Sequence, residues 1–172
     1  MNLIIVNDDI LNRSADVLIL SGNVQLNLSG GVGGAFLQRF GDDMQLKLHQ
    51  YLERSNRKFV ERGDVIPMPS CGSPYLTVLH AIGVDAFYDS NVGVIRDLIS
   101  KSLELASQRS AKTVALTAIA TGYGRMSIAD FAAAVNMVAN SDFPPIERVE
   151  ICVVKNSSAK SLLALIPSAI EG

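Results

Sequence analysis

Two glycine-rich segments and a handful of polar residues around them carry most of the chemistry that this 172-residue sequence offers. The first runs Ser21-Gly22-Asn23 and on through Ser29-Gly30-Gly31-Val32-Gly33-Gly34. The second is Ala120-Thr121-Gly122-Tyr123-Gly124. Glycine lets a backbone approach a ligand closely, and the N-terminus of a following helix offers unbonded amides with a partial positive charge. Two such loops facing one another suit a diphosphate held by amides rather than by Lys or Arg. Each loop alone is better read as a tight turn that packs a helix onto a sheet; the pair, in this order, is more informative than either. The first lacks the lysine and serine of a P-loop, and GGVGGA from Gly30 lacks the spacing of a dinucleotide-binding turn.

The other polar residues admit plainer readings. Asp9 could cap a turn beside Asp8, and Asn23 could satisfy loop backbone groups. Tyr123 reads either as a lid over the second loop or as edge packing. His80, inside the apolar run VLHAIG, reads as a structural histidine. Cys71 lies in a turn with no activating neighbour and is not read as a nucleophile. Asp64 and Asp130 read as turn and helix-end residues.

The elements that must position these loops are legible as alternating apolar runs and helical patterns, the mark of a mostly parallel, helix-covered sheet. Strands are expected at Leu3 to Val6, Val17 to Leu20, Val65 to Met68, Thr77 to Ile82, Val114 to Ile119 and Val149 to Val154. Helices are expected from Gly34 to Leu52 with a break at Gly41, from Ile95 to Ala106, from Ser127 to about Asn140, and from Ala159 to Ile166, stopped by Pro167. The glycines before Gly34 are thereby expected in an open loop. Ligands of such sheets bind beyond the carboxyl ends of the strands, where both glycine segments fall. The expected fold class is α/β: a three-layer α/β/α sandwich around a central mixed, mostly parallel sheet, with residues 1–172 forming one domain.

Composition narrows the partners. Hydrophobic residues make up 48% of the chain, charged residues 19%, and the formal net charge is −2. That balance argues against nucleic acid, which calls for a clustered basic face. The stretch from Arg54 to Arg62 reads as a solvated helix end. Two cysteines with no CxxC pair and two histidines argue against a metal site and for reduced thiols. No apolar run reaches the ~18 residues of a membrane span, so a cytoplasmic protein is expected, with no membrane partner and no cofactor. Nothing in the sequence fixes an oligomeric state.

In order and spacing these pieces resemble the macro domain family across nearly the whole chain. Asp9-Ile10 is similar to the family's Asp-Ile pair, whose aspartate receives the adenine amino group. Ala15 to Asn23 resembles the stretch ending in Asn-Ala-Ala-Asn, with Asn23 at the second asparagine, which contacts the distal ribose. Ser29-Gly30-Gly31-Val32 resembles the Gly-Gly-Gly-Val that wraps ribose and phosphates. Gly63-Asp64-Val65 and Val78 to Gly83 resemble framework segments, and Thr121-Gly122-Tyr123-Gly124 the second phosphate loop. The resemblance implies a module that binds ADP-ribose or ADP-ribosylated protein through Asp9, Ile10, Ser21, Gly22, Asn23, Ser29, Gly30, Gly31, Val32, Gly33, Ala120, Thr121, Gly122, Tyr123 and Gly124.

The departures bear on activity. Leu20 stands at the first asparagine of the motif, and Gly33 stands where hydrolytic branches often carry an aspartate. The second loop is one residue shorter than the common form, and no aromatic residue lies near Val154, Lys155 and Asn156 to stack on adenine. An alternative is an ADP-ribosyl hydrolase in which Asn23, the one candidate catalytic residue, positions water that the ligand's own phosphate activates. Such a route forgoes the ~10²–10⁴-fold of a positioned general base. A third reading keeps the fold without the ligand, as a structural domain.

Overall fold

A computed structural model describes residues 1–172. The seven strands are β1 (Asn2–Val6), β2 (Val17–Gly22), β3 (Val65–Pro69), β4 (Thr77–Ile82), β5 (Thr113–Thr117), β6 (Arg148–Cys152) and β7 (Ala169–Glu171). They form one sheet in the order β3-β4-β2-β5-β6-β1-β7, parallel except where β3 runs antiparallel to β4. The helices are α1 (Gly31–Phe40), α2 (Asp43–Arg54), α3 (Val92–Gln108), α4 (Ile128–Val138) and α5 (Asn156–Leu165).

Period-two alternation, hidden in the unbroken apolar runs, decides which layer each strand residue joins. Leu18 and Leu20 of β2 pack with Phe36, Met44, Leu48 and Leu52 of α1 and α2 on one face. Val17 and Ile19 point the other way, into a larger cluster with Ile95, Leu98 and Leu103 of α3, Phe131 and Val135 of α4, and Leu162 of α5. Three layers result, with an apolar core on each face of the sheet.

The helix boundaries have local causes. Asn91 caps α3 by accepting from the Val94 amide at 3.0 Å. Ser127 and Asp130 form a reciprocal capping box at the start of α4. Gly41, at φ 86°, separates α1 from α2 in a conformation that a side chain would strain.

Several expectations need correction, among them that α5 begins at Asn156 rather than Ala159 and that β6 stops at Cys152 rather than Val154. α1 begins at Gly31 rather than Gly34, so the glycine run makes the first helical turn and Gly33 is buried. α3 begins at Val92, because its cap is Asn91. β5 stops at Thr117, and Ala118 and Ile119 already belong to the loop beyond it. The chain also does not end on its last helix: β7 adds an edge strand beside β1, with Leu3 opposite Ala169. At three largely exposed residues just past Pro167, β7 has no apolar run to announce it.

Candidate functional site

β2, β5, β6 and β1 stand side by side in that order and run parallel, so the segments after them emerge along the same edge. Those segments hold Asp9 and Ile10 (after β1), Asn23 to Gly30 (after β2), Ala118 to Ser127 (after β5), and Val153 to Lys155 (after β6). That edge is where a ligand of a parallel sheet binds.

The first loop is folded by its own asparagine. Asn23 Oδ1 accepts from the amides of Gln25 and Asn27, both at 3.1 Å, and its Nδ2 donates to the Asn27 carbonyl at 2.7 Å. Gln45 of α2 then fastens the far side, accepting from the Leu28 amide at 2.7 Å and donating to the Leu26 carbonyl at 2.9 Å. The chain is thereby delivered to Gly30, the N-cap of α1, with Ser29 exposed before it. The first helical bond runs from the Gly34 amide to the Gly30 carbonyl at 3.1 Å. The amides of Gly31, Val32 and Gly33 therefore have no intrahelical acceptor, and the helix dipole adds to their attraction for an anion.

The second loop turns sharply. Thr121 donates its hydroxyl to the Ala118 carbonyl at 2.8 Å. Ala120 sits at φ 64°, a conformation rarely taken by a residue with a Cβ. A Cβ on Gly124 would strike the Ala120 carbonyl, so only glycine closes this turn. The amides of Gly122, Tyr123 and Gly124 find no main-chain acceptor.

The two loops meet at Tyr123, which is 74% exposed yet has its ring against the first loop. A Cβ on Gly30 would stand 2.6 Å from the Tyr123 hydroxyl oxygen, and one on Gly31 would lie 3.6 Å from the ring. Deeper down, the Ser21 amide donates to Thr117 Oγ1 at 3.1 Å, while Gly22 lies so close to Ile82 that a Cβ would meet it at 2.7 Å.

Toward β1, Asp9 caps a short 3₁₀ turn (Ile10–Asn12), its Oδ1 accepting from the Leu11 amide at 3.0 Å. Its second carboxylate oxygen stays free of that bond, and Ile10 is buried beside it. Residues outside every sequence motif hold this turn. The buried Tyr75 donates to the carbonyls of Ile10 and Arg13 at 3.2 and 3.3 Å. Arg13 pairs at 2.8 Å with Glu150, a carboxylate almost wholly buried on β6. Asn12 donates to Asp8, and this bond is the main reason the Asp8 carboxyl lies below its usual range. The segment after β6 presents the exposed Val154, Lys155 and Asn156.

His80 takes no part. It is buried on β4 with Nε2 3.4 Å from Met44 Sδ, and burial pushes its pKa down to about 4. Cys71 and Cys152 are free and buried, and burial raises their thiols to about 11 and about 12, which leaves both inert. No cluster of His, Cys, Asp and Glu is placed to hold a metal ion. A groove of about 530 Å³ between α2 and β3 is lined by none of the residues of these loops.

A mixed sheet between two helical layers, with two glycine-rich loops meeting at one edge and their main-chain amides left without main-chain acceptors, defines an α/β/α module. The sequence matches the macro domain family over residues 21–135, and the chain belongs to that family. It is 29% identical over 139 residues to a macro domain-containing protein of Streptomyces coelicolor, covering 80% of this chain and 82% of that one. It is 26% identical over 147 residues to another from Streptomyces griseus, covering 84% and 83%. Among solved structures, the Oceanobacillus iheyensis macrodomain with ADP superposes at a TM-score of 0.85 and 17% identity, covering 94% of this chain and 88% of that one. The Trypanosoma brucei macrodomain in complex with ADP-ribose gives 0.78 at 14% identity, covering 96% and 69%.

Proposed function

We propose that residues 1–172 act as one macro domain that binds ADP-ribose, free or attached to a protein, in the cleft between the two glycine-rich loops. The observation that carries this reading is the meeting of the loops at Tyr123, with unpartnered amides of Gly31–Gly33 on one side and Gly122–Gly124 on the other. Donors arranged on two sides of a cleft fit a diphosphate without requiring a cationic side chain. Asp9 supplies a carboxylate where an adenine would sit, with Ile10 buried behind it. Ser21, Gly22, Asn23 and Ser29 line the route toward the distal ribose. Ala120 and Thr121 shape the second loop. Family membership and solved macrodomains holding ADP or ADP-ribose support the assignment.

Binding is favoured over hydrolysis by two features. Asn23 spends both acceptor positions of its amide oxygen and one amide hydrogen on its own loop, and no carboxylate follows Val32. The two free thiols fit a cytoplasmic setting, and no helix is long and apolar enough to cross a membrane.

Titration calorimetry with ADP-ribose and AMP tests the reading. ADP-ribose is expected to bind and AMP to bind more weakly, because AMP reaches neither the full diphosphate cradle nor the distal side. Equal affinity for the two, or no heat and no rise in melting temperature with either, overturns it.

A further inference from the structure

The main-chain ladder between β2 and β5 stops short of the loops that these strands carry. β2 and β5 pair only from Val17 opposite Val114 to Ile19 opposite Leu116. Beyond that point β2 keeps its ladder with β4 as far as Gly22 opposite Ile82, and β5 keeps its ladder with β6 as far as Thr117 opposite Cys152. A seam therefore opens between the two strands directly beneath the cleft. Two side-chain hydroxyls cross it. Buried Thr117 accepts from the Ser21 amide at 3.1 Å and lies 3.4 Å from the Ile19 carbonyl, to which it can donate. One step higher, Ser21 Oγ lies 3.5 Å from the amide of Ala120. That residue carries the strained φ of 64° around which the second loop turns. Nothing else in the hydrogen-bond network joins the roots of the two loops.

We infer that Thr117 and Ser21 are positioning residues that set the gap between the two amide-lined loops, and so fit the cleft to a diphosphate. The inference rests on the ADP-ribose reading. A ligand that accepts from both loops at once is sensitive to their separation, because hydrogen bonds weaken within a few tenths of an ångström of their optimum. A ligand with one phosphate can follow whichever loop it touches. Widening the seam thus penalises ADP and ADP-ribose more than AMP. A threonine that merely stabilised the sheet would move all three together.

The test compares Thr117→Val, which keeps the shape and removes the hydroxyl, with Thr117→Ser, which keeps the hydroxyl, and with Ser21→Ala. Calorimetry is run with ADP-ribose, ADP and AMP, alongside hydrogen exchange of the Gly122–Gly124 amides without ligand. Thr117→Val is expected to lose roughly tenfold in affinity for ADP and ADP-ribose, the size of one hydrogen bond. AMP should change little, exchange in the second loop should quicken, and Thr117→Ser should restore both. Thr117→Val binding ADP-ribose as the wild type does, or weakening AMP as much as ADP, overturns the positioning role alone. Should Thr117→Val fail to fold, Ser21→Ala decides: unchanged ADP affinity and unchanged exchange overturn the role. A wild-type protein that takes up none of the three ligands overturns the ADP-ribose reading itself.

Discussion

Gly33 is the position where a single side chain reports most directly on how the first loop is built. It is buried in the opening turn of α1, and a Cβ there would stand 3.3 Å from Leu28 Cδ2 and 3.4 Å from Leu28 Cα. Gly33→Ala asks Leu28 to yield by a few tenths of an ångström, and gains up to ~1 kcal/mol of helix propensity in return. The two nearly cancel, so a melting temperature within about 3 °C of wild type is expected, with ADP-ribose still bound. Gly33→Glu cannot be accommodated in that way. Either the carboxylate is buried against Leu28, or Leu28 leaves a site where it is only 6% exposed. Expelling a leucine alone costs ~2–3 kcal/mol, which puts the fall in melting temperature at about 4–12 °C. Displacing Leu28 also shifts Ser29 to Gly31, and the new charge repels a diphosphate, so binding should be lost. Thermal denaturation and calorimetry on both variants decide the matter. A Gly33→Glu protein with wild-type stability would place this Cβ in open space and refute the packing argument. One that melts lower yet binds normally would remove the first turn of α1 from the cleft.

Two further outcomes are expected. Asp9→Ala should weaken both AMP and ADP-ribose about ten- to hundredfold, the value of a charge-assisted hydrogen bond. Asp9→Asn retains an acceptor for the Leu11 amide and so separates turn capping from ligand contact; an unchanged dissociation constant in the alanine variant would remove Asp9 from the site. His80 makes stability pH-dependent in the acid range. Its folded pKa of about 4 lies below the ordinary 6.5, so the unfolded chain binds the extra proton as pH falls. Stability is at its full value above about pH 6.5 and is lost progressively toward pH 4, by about 2–3 kcal/mol. Replacing His80 with glutamine should flatten that part of the profile in denaturant titrations at pH 7.5 and 4.5, and an equally steep loss in the variant would assign it to other groups.

The sheet and its helices were legible because burial on both faces writes strands as unbroken apolar runs, while α2 and α3 show their stripes at threes and fours. The antiparallel β3 leaves no mark of direction in sequence, and β7 is too short and too exposed to leave any. The start of α1 was misplaced because glycine propensity argues against a helix that tertiary packing on Leu28 imposes. The two glycine loops and Asp9 stood out by residue type. The groups that hold them did not: Tyr75, Gln45 and the Arg13–Glu150 pair act across 17 to 137 positions of chain, far beyond any local pattern.

A cleft lined by main-chain amides has a further consequence for how such a protein can diverge. Every residue except proline brings the same N–H donor, so on the proposed reading the contacts to the anion tolerate an exchange of side chain wherever a Cβ has room. What natural selection must hold fixed is the path of the backbone, and with it the few places, such as Gly124 against Ala120, where a Cβ does not fit. A macrodomain can then keep its shape at a TM-score of 0.85 while sharing only 17% of its residues with another. Acidic and basic members of such a lineage could hold the same anion with the same donors, their surfaces free to change for other reasons.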